Sequence, residues 1–471
     1  MRSAILLSII SILVSSCGPE QGGIAVPKSY SFDLDSIKSR NKLVALVDNS
    51  TTSYFIYKGS PMGFEYELLE RFTKHIGVEL EVKVVYNMDS MMHYLNQGIG
   101  DVLAANITST ANRKKRVAFT NSIHKTHQVL VQRNIRDSLL IELEQLSNNT
   151  VHVWSESSFL ERLQNISGEL DEAINIVAVN NNDTSVAMNM TLQLIEAVSK
   201  GEIDYTVADE NVAKVQKKMH GNLNIDLDIS LEQNIAWAFR HSDTALLSAA
   251  NEWLEKEKNH TDFYTIYTKY FKARTNLKRK LQSDYSSVSG GQISPYDEII
   301  KQEALEINWD WRLLTAQIFQ ESKFDAAAES WAGAYGLMQL VPHTAAAYGL
   351  DSSNIEIPHA NIRAGVKYLI WINEFWAKSI DNETERQKFV LASYNVGLGH
   401  IIDAKNLADK FGADPTIWGD NVEDYILKKS ESKFYTDDVC KHGYCRGKEP
   451  YNYVKNIMAG YEHYKNLIPL E

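Results

Sequence analysis

A glutamate at the end of an apolar helical run opens the chemistry of this chain. The segment Glu321-Ser322-Lys323-Phe324 follows Ala316, Ile318 and Phe319. Next come Gly333-Ala334-Tyr335-Gly336-Leu337-Met338-Gln339-Leu340, then Ala392-Ser393-Tyr394-Asn395-Val396-Gly397-Leu398-Gly399, then Glu449-Pro450-Tyr451-Asn452-Tyr453-Val454. A carboxyl among apolar neighbours such as Phe324, Leu337 and Met338 holds its proton to higher pH, because desolvation penalises the charged form. Such a group suits a general acid that later works as a base. Pairs of carboxylates often share such work. Here the motifs offer no obvious second carboxylate, although Asp325 and Glu329 lie nearby in sequence.

A second constellation lies earlier. The run Asp101-Val102-Leu103-Ala104-Ala105 reads as a strand, and Asn106, Thr108 and Thr110 lead from it to Arg113. Hydroxyls, loop amides and a guanidinium fork converging beyond a strand end make a carboxylate site. Arg113 also sits in a run of four basic residues, which by itself reads equally as a solvated surface. Cys440 and Cys445 flank a turn-like stretch, and in an oxidising compartment a local disulfide between them is expected. A metal reading would need His442 and a fourth ligand that the sequence does not offer, so no metal and no cofactor is implied.

The elements that must position these residues fall into two textures. From about residue 42 to 240, β-rich runs at 43–47, 80–85, 102–105, 128–131, 151–154, 174–179 and 205–208 alternate with amphipathic helical patterns at 66–76, 90–97, 191–199 and 211–219. That alternation predicts α/β units with largely parallel sheets. A helical tail over 244–271 closes this half. Residues 272–292 run from basic to small and polar and read as a linker, and from residue 293 onward the patterns are helical. The 471 residues thus divide into 1–16, a signal segment; 17–40, an anchor and tether; 41–271, the α/β domain; 272–292; and 293–471, the all-α domain.

At the start, Arg2 precedes an apolar run over residues 4–14, too short for a bilayer span of roughly 20 residues and typical of a secretory signal. It ends Leu13-Val14-Ser15-Ser16-Cys17, which resembles a bacterial lipobox with Cys17 as the lipid-modified residue. The expectation is a membrane-anchored protein on the periplasmic face, with the outer membrane favoured. The net charge of −12 argues against nucleic acid as a partner.

The segments Gly63-Phe64-Glu65-Tyr66-Glu67-Leu68-Leu69 and 101–120 together resemble the family 3 periplasmic solute-binding proteins. The resemblance implies a two-lobed, type II periplasmic-binding-protein-like domain that takes an amino acid or short peptide. Arg113 and Thr108 would grip the α-carboxylate, Asp209 the amino group, and Tyr54 would pack on the ligand.

The four later motifs resemble lytic transglycosylases of the lysozyme-like fold, and the domain order resembles the membrane-bound lytic murein transglycosylase F family. That implies cleavage of peptidoglycan glycan strands with closure of a 1,6-anhydro ring. Glu321 would act first as acid and then as base, with Tyr453 orienting it or stabilising the transition state. Ser330, Met338, Gln339, Tyr394 and Asn395 would hold the glycan. The third motif departs by carrying Ser393 where alanine is usual. Two alternatives stay open: a binding protein whose second domain merely docks on peptidoglycan, and a true hydrolytic lysozyme.

Overall fold

The computed structural model describes residues 32–180, 189–272, 276–351 and 353–470. Cys17, the signal segment and most of the tether lie outside the described residues. Runs of β-branched and apolar residues build two separate five-stranded sheets in the first domain. In the first sheet the order is Glu79–Val84, Lys42–Val47, Val102–Leu103, Ala238–Phe239, Ala118–Phe119. In the second it is Asn175–Val179, Thr150–Trp154, Tyr205–Asp209, Gln128–Arg133, Leu223–Asn224. The antiparallel pair His124–Thr126 and Gln233–Ile235 carries the chain from the first sheet to the second and back. The domain is therefore two-lobed, with a periplasmic-binding-protein-like fold.

The sheets are mixed rather than largely parallel. Lys42–Val47 pairs in parallel with both of its neighbours. Ala238–Phe239, however, runs antiparallel between its two partners, and Gln128–Arg133 runs antiparallel to Tyr205–Asp209. The returning chain enters each sheet from the opposite end, and a two-residue strand leaves no periodicity to read.

The second domain is helical. Its main helices are Asp297–Ile307, Trp311–Ser322, Pro358–Ala377, Glu383–Val396, Leu398–Lys410 and Lys448–Leu467. Trp311–Ser322 is buried along most of its length and starts at Asp310, whose carboxylate accepts the Arg312 N–H at 2.9 Å. It stops at Lys323 and Phe324, two consecutive side-chain-bearing residues at φ 54° and 66°. That rare left-handed pair turns the chain sharply and leaves Glu321 at the helix end.

The segment between the domains is tied down. Ser287 donates its N–H to Ile56 O at 2.9 Å, and Lys58 donates to Tyr285 O at 2.9 Å. These bonds lay the segment along the hairpin Phe55–Tyr57 and Ser60–Met62. The tip of that hairpin meets the second domain. Tyr464 donates to Gly59 O at 3.0 Å, and Asn466 donates to Val82 O at 2.7 Å. Gly59 sits at φ +77°, where an added Cβ would stand 2.8 Å from Phe319 Cδ2 and 2.9 Å from Phe324 Cε2. The hairpin tip thus rests on the two aromatic residues that bracket Glu321.

Candidate active site and ligand pocket

Glu321 is partly buried, and its Oε1 accepts a hydrogen bond from the Tyr453 hydroxyl. Tyr453 is buried on the helix Lys448–Leu467, and Gln317 donates its side-chain N–H to the Tyr453 oxygen at 3.3 Å. Gln317 stands one helical turn before Glu321, so one face of the helix carries both. Burial pushes the Glu321 carboxyl up to about 7, and the Tyr453 hydrogen bond partly offsets this. No second carboxylate contributes to that shift. Burial also pushes the Tyr453 and Tyr394 hydroxyls well up, so both remain neutral donors.

The glycine-rich motif forms a tight loop beside this pair. Asn361, fully buried on the helix Pro358–Ala377, accepts the Met338 N–H at 2.8 Å and donates to Ile355 O at 2.8 Å and Tyr335 O at 3.3 Å. Gly336 is at φ +78°, and a Cβ there would fall 2.3 Å from Asn361 Nδ2. Glycine is thus required by both conformation and space. Tyr394 donates to Met338 O at 2.8 Å, linking the third motif to this loop. Ser393 accepts the Trp376 indole N–H at 2.9 Å, which gives the unusual hydroxyl a buried partner.

Several expected glycan contacts are committed elsewhere. The Met338 side chain is buried and packs toward Gly365, so only its backbone belongs to the site's edge. Gln339, at φ 48°, donates its amide to Ala328 O and Gly336 O, both at 2.9 Å. Ser330 accepts the Ala334 N–H at 3.0 Å, the pattern of a turn-forming serine. Asn395 is exposed. Asn361 and Gln317 were invisible to motif reasoning. Their only sequence signal is polarity at a helix position that otherwise reads as core.

Cys440 and Cys445 are free thiols rather than a disulfide. The turn between them is organised by charge instead. The N–H groups of Lys441 and His442 donate to the Asp403 carboxylate at 2.9 and 2.8 Å, and Asp403 pairs with the buried Lys429 at 2.6 Å. Among the described residues no group of three or more His, Cys, Asp or Glu side chains is placed to hold a metal ion.

In the first domain a pocket, partly open to solvent, lies between the lobes. Thr108, Arg113 and Asp209 line it, together with Asp48, Asn106 and Trp154. Arg113 donates to Thr108 O at 3.1 Å and to Glu156 O at 3.3 Å. Asp209 is pushed up to about 7 by burial, against the pull of Arg113. Tyr54 does not join them. Its side chain is fully buried, and its hydroxyl shares a 2.8 Å hydrogen bond with His463 Nδ1 of the second domain. Ser50 and Thr52 line the pocket, whereas the Tyr54 ring packs against Tyr66 and His463.

Two separate stretches of the chain match family models of known proteins. Residues 43–273 match the model of bacterial extracellular solute-binding proteins, family 3, and residues 298–417 match the transglycosylase SLT domain. A protein of Desulfosudis oleivorans named membrane-bound lytic murein transglycosylase F is 33% identical over 432 residues, covering 90% of each chain. One of the same name from Pseudomonas fluorescens (strain Pf-5) is 30% identical, covering 91% of this chain and 86% of its own. Among solved structures, the ancestral amino acid-binding protein AncCDT-1 is 22% identical with a TM-score of 0.43, covering 51% of this chain and 99% of its own.

Proposed function

The chain belongs to the membrane-bound lytic murein transglycosylase F family, and from that premise we propose that Glu321 cleaves the β-1,4 bond between N-acetylmuramic acid and N-acetylglucosamine as a single acid and base. The protein is a peptidoglycan lytic transglycosylase. The observation that carries the residue assignment is a lone, partly buried carboxyl with acid strength near neutrality and Tyr453 as its donor. At neutral pH a useful fraction is protonated, as a general acid requires.

Protonated Glu321 gives its proton to the leaving oxygen as the C1–O bond breaks. The sugar's own C6 hydroxyl then attacks C1, and its proton passes to the Glu321 carboxylate. The proton count returns to its start, no water is consumed, and the product carries a 1,6-anhydro ring. Holding nucleophile and acceptor in one molecule supplies the proximity that a free water lacks. Tyr453 keeps the carboxylate aimed during the switch. Tyr394 and the loop clamped by Asn361 set the wall against which the glycan lies. Replacement of Glu321 by glutamine tests the assignment. Soluble muropeptide release from purified sacculi should fall by at least about a thousandfold with folding intact, and near-normal release would refute it.

The protein is membrane-associated, and Cys17 as a lipid anchor facing the periplasm, with the outer membrane as host, is the finer reading. The first domain is read as a sensor of amino acids or short peptides that biases the second. Support comes from the hairpin tip at Gly59, which abuts Phe319 and Phe324, and from the Tyr54–His463 hydrogen bond. Differential ligand affinity for two interdomain arrangements would supply the coupling. Identical cleavage rates with and without saturating ligand would remove it.

A further inference from the structure

A line of aromatic rings leads away from the candidate active site along the helix Pro358–Ala377. It begins at Tyr394, which is half-buried and donates its hydroxyl to Met338 O. The negative charge of Glu321 acts directly on that hydroxyl, so the inner end of the line lies at the catalytic carboxyl. The Tyr368 ring follows at 5.2 Å between centroids. The Trp371 indole lies 6.1 Å beyond it, stacked within 19° of the Tyr368 plane. Tyr348, at the end of the short helix Pro342–Ala347, flanks Tyr368 at 5.7 Å. Tyr368 and Trp371 stand three residues apart, so one face of the helix presents both.

Exposure rises outward along this line. Tyr348 and Tyr368 are half-buried, and Trp371 is 49% exposed. One side of the indole leans on Tyr368, and the rest meets water. The Tyr348 and Tyr368 hydroxyls and the Trp371 indole N–H have no hydrogen-bond partner in the protein among the described residues. A single exposed ring needs no explanation, but this one is continuous with the tyrosine that packs beside Glu321. Exposed Lys367 and Glu374 border Trp371 on the helix. The apolar surface is therefore a stripe and not the broad patch that a protein interface buries. The substrate supplies a better occupant. A glycan strand is a polymer, so cleavage of one bond leaves further sugars on at least one side. Their rings present apolar C–H faces edged by hydroxyl groups. Trp and Tyr, apolar in body and polar at one edge, match such faces.

We propose that Tyr368 and Trp371 form a distal sugar platform that seats the glycan strand beyond the cut. Counting one ring per sugar outward from Tyr394, Trp371 stacks on the third sugar, and the Tyr348 and Tyr368 hydroxyls bond its substituents. The platform rests on the reading of Glu321 as the catalytic acid and base, and it extends the substrate contact of that same groove. It gives the enzyme a preference for long strands over short fragments, its own products included.

Calorimetry on the full chain carrying Glu321→Gln, which keeps the sugars intact, tests the platform. The probes are peptide-free glycan chains of peptidoglycan: a tetrasaccharide, reaching two sugars to each side of the cut, and an octasaccharide. The octasaccharide should bind about tenfold or more tightly. Adding Trp371→Ala should erase that gain while leaving tetrasaccharide affinity and the melting curve unchanged. Trp371→Phe should keep most of the gain. Equal affinity for the two chains, failure of both to bind, or a Trp371→Ala loss shared by both or by neither would overturn the platform while leaving the catalytic reading standing. Cleavage of the octasaccharide by Glu321→Gln, seen by mass spectrometry of the same samples, would overturn the catalytic reading and the platform with it.

Discussion

Replacing Tyr453 with phenylalanine removes one hydrogen bond from Glu321 while nearly preserving ring volume. That bond favours the carboxylate, so its loss must push the Glu321 carboxyl higher than its present position of about 7. Hydrogen bonds to charged groups are worth about 1.5–3 kcal/mol, and one pH unit corresponds to about 1.36 kcal/mol. The shift should therefore be about one to two units upward. In kcat/KM for release of soluble fragments from purified sacculi, the alkaline limb reports the acid of the free enzyme. It should move from about 7 to about 8 or 9. The plateau should drop by about ten- to a hundredfold, since the carboxyl also loses its aim. Thermal melts across the same range keep unfolding apart from chemistry. A limb that stays in place, or moves toward acid, would refute the claim that Tyr453 acts on this ionisation.

Three further outcomes follow from the same geometry. Glu321 has a folded acidity above its ordinary 4.5, so the folded chain holds a proton that the unfolded chain releases between 4.5 and about 7. The stability this gives is complete below the lower value and lost as pH rises through the upper one. Glutamine at 321 should thus melt higher than wild type near pH 8, by about 1–3 kcal/mol, and match it near pH 4, as calorimetry can check. Asn361→Ala frees the loop holding Met338 and leaves buried backbone groups unpaired. It should cost about 2–4 kcal/mol in denaturant titration and lower kcat more than it raises KM. Gly59→Ala strains a left-handed turn and drives a methyl at Phe319 and Tyr464. It should cost about 1–3 kcal/mol and slow cleavage, although it lies in the other domain.

What the sequence revealed and what it hid have a common physical root. Glu321, Tyr394 and Tyr453 stand in short motifs, the last two with a glycine or proline that constrains the local chain, so their neighbourhood could be read from adjacent residues. The first strands of each lobe announced themselves through β-branched runs. Tyr54 did not, because its partner His463 lies 409 residues further on and only the packing of two domains brings them together. Asp48 likewise reads as an ordinary strand-end acid until the second lobe supplies Asn189 across the gap. Asn361 and Gln317 look like polar interruptions of core helices, and their partners belong to loops whose shape no periodicity encodes. The expected disulfide failed for a related reason. The turn at 440–445 folds around Asp403 and Lys429, a buried charge pair distant in sequence, and its thiols stay free.

Digestion of sacculi in water enriched in oxygen-18, followed by mass spectrometry of the muropeptides, bears most directly on the single-carboxyl route. The predicted fragments end in an anhydro ring, one water lighter than lysozyme products, and carry no heavy oxygen. Fragments with reducing ends that have taken up the label would show that water, and not the sugar's own hydroxyl, completes the reaction.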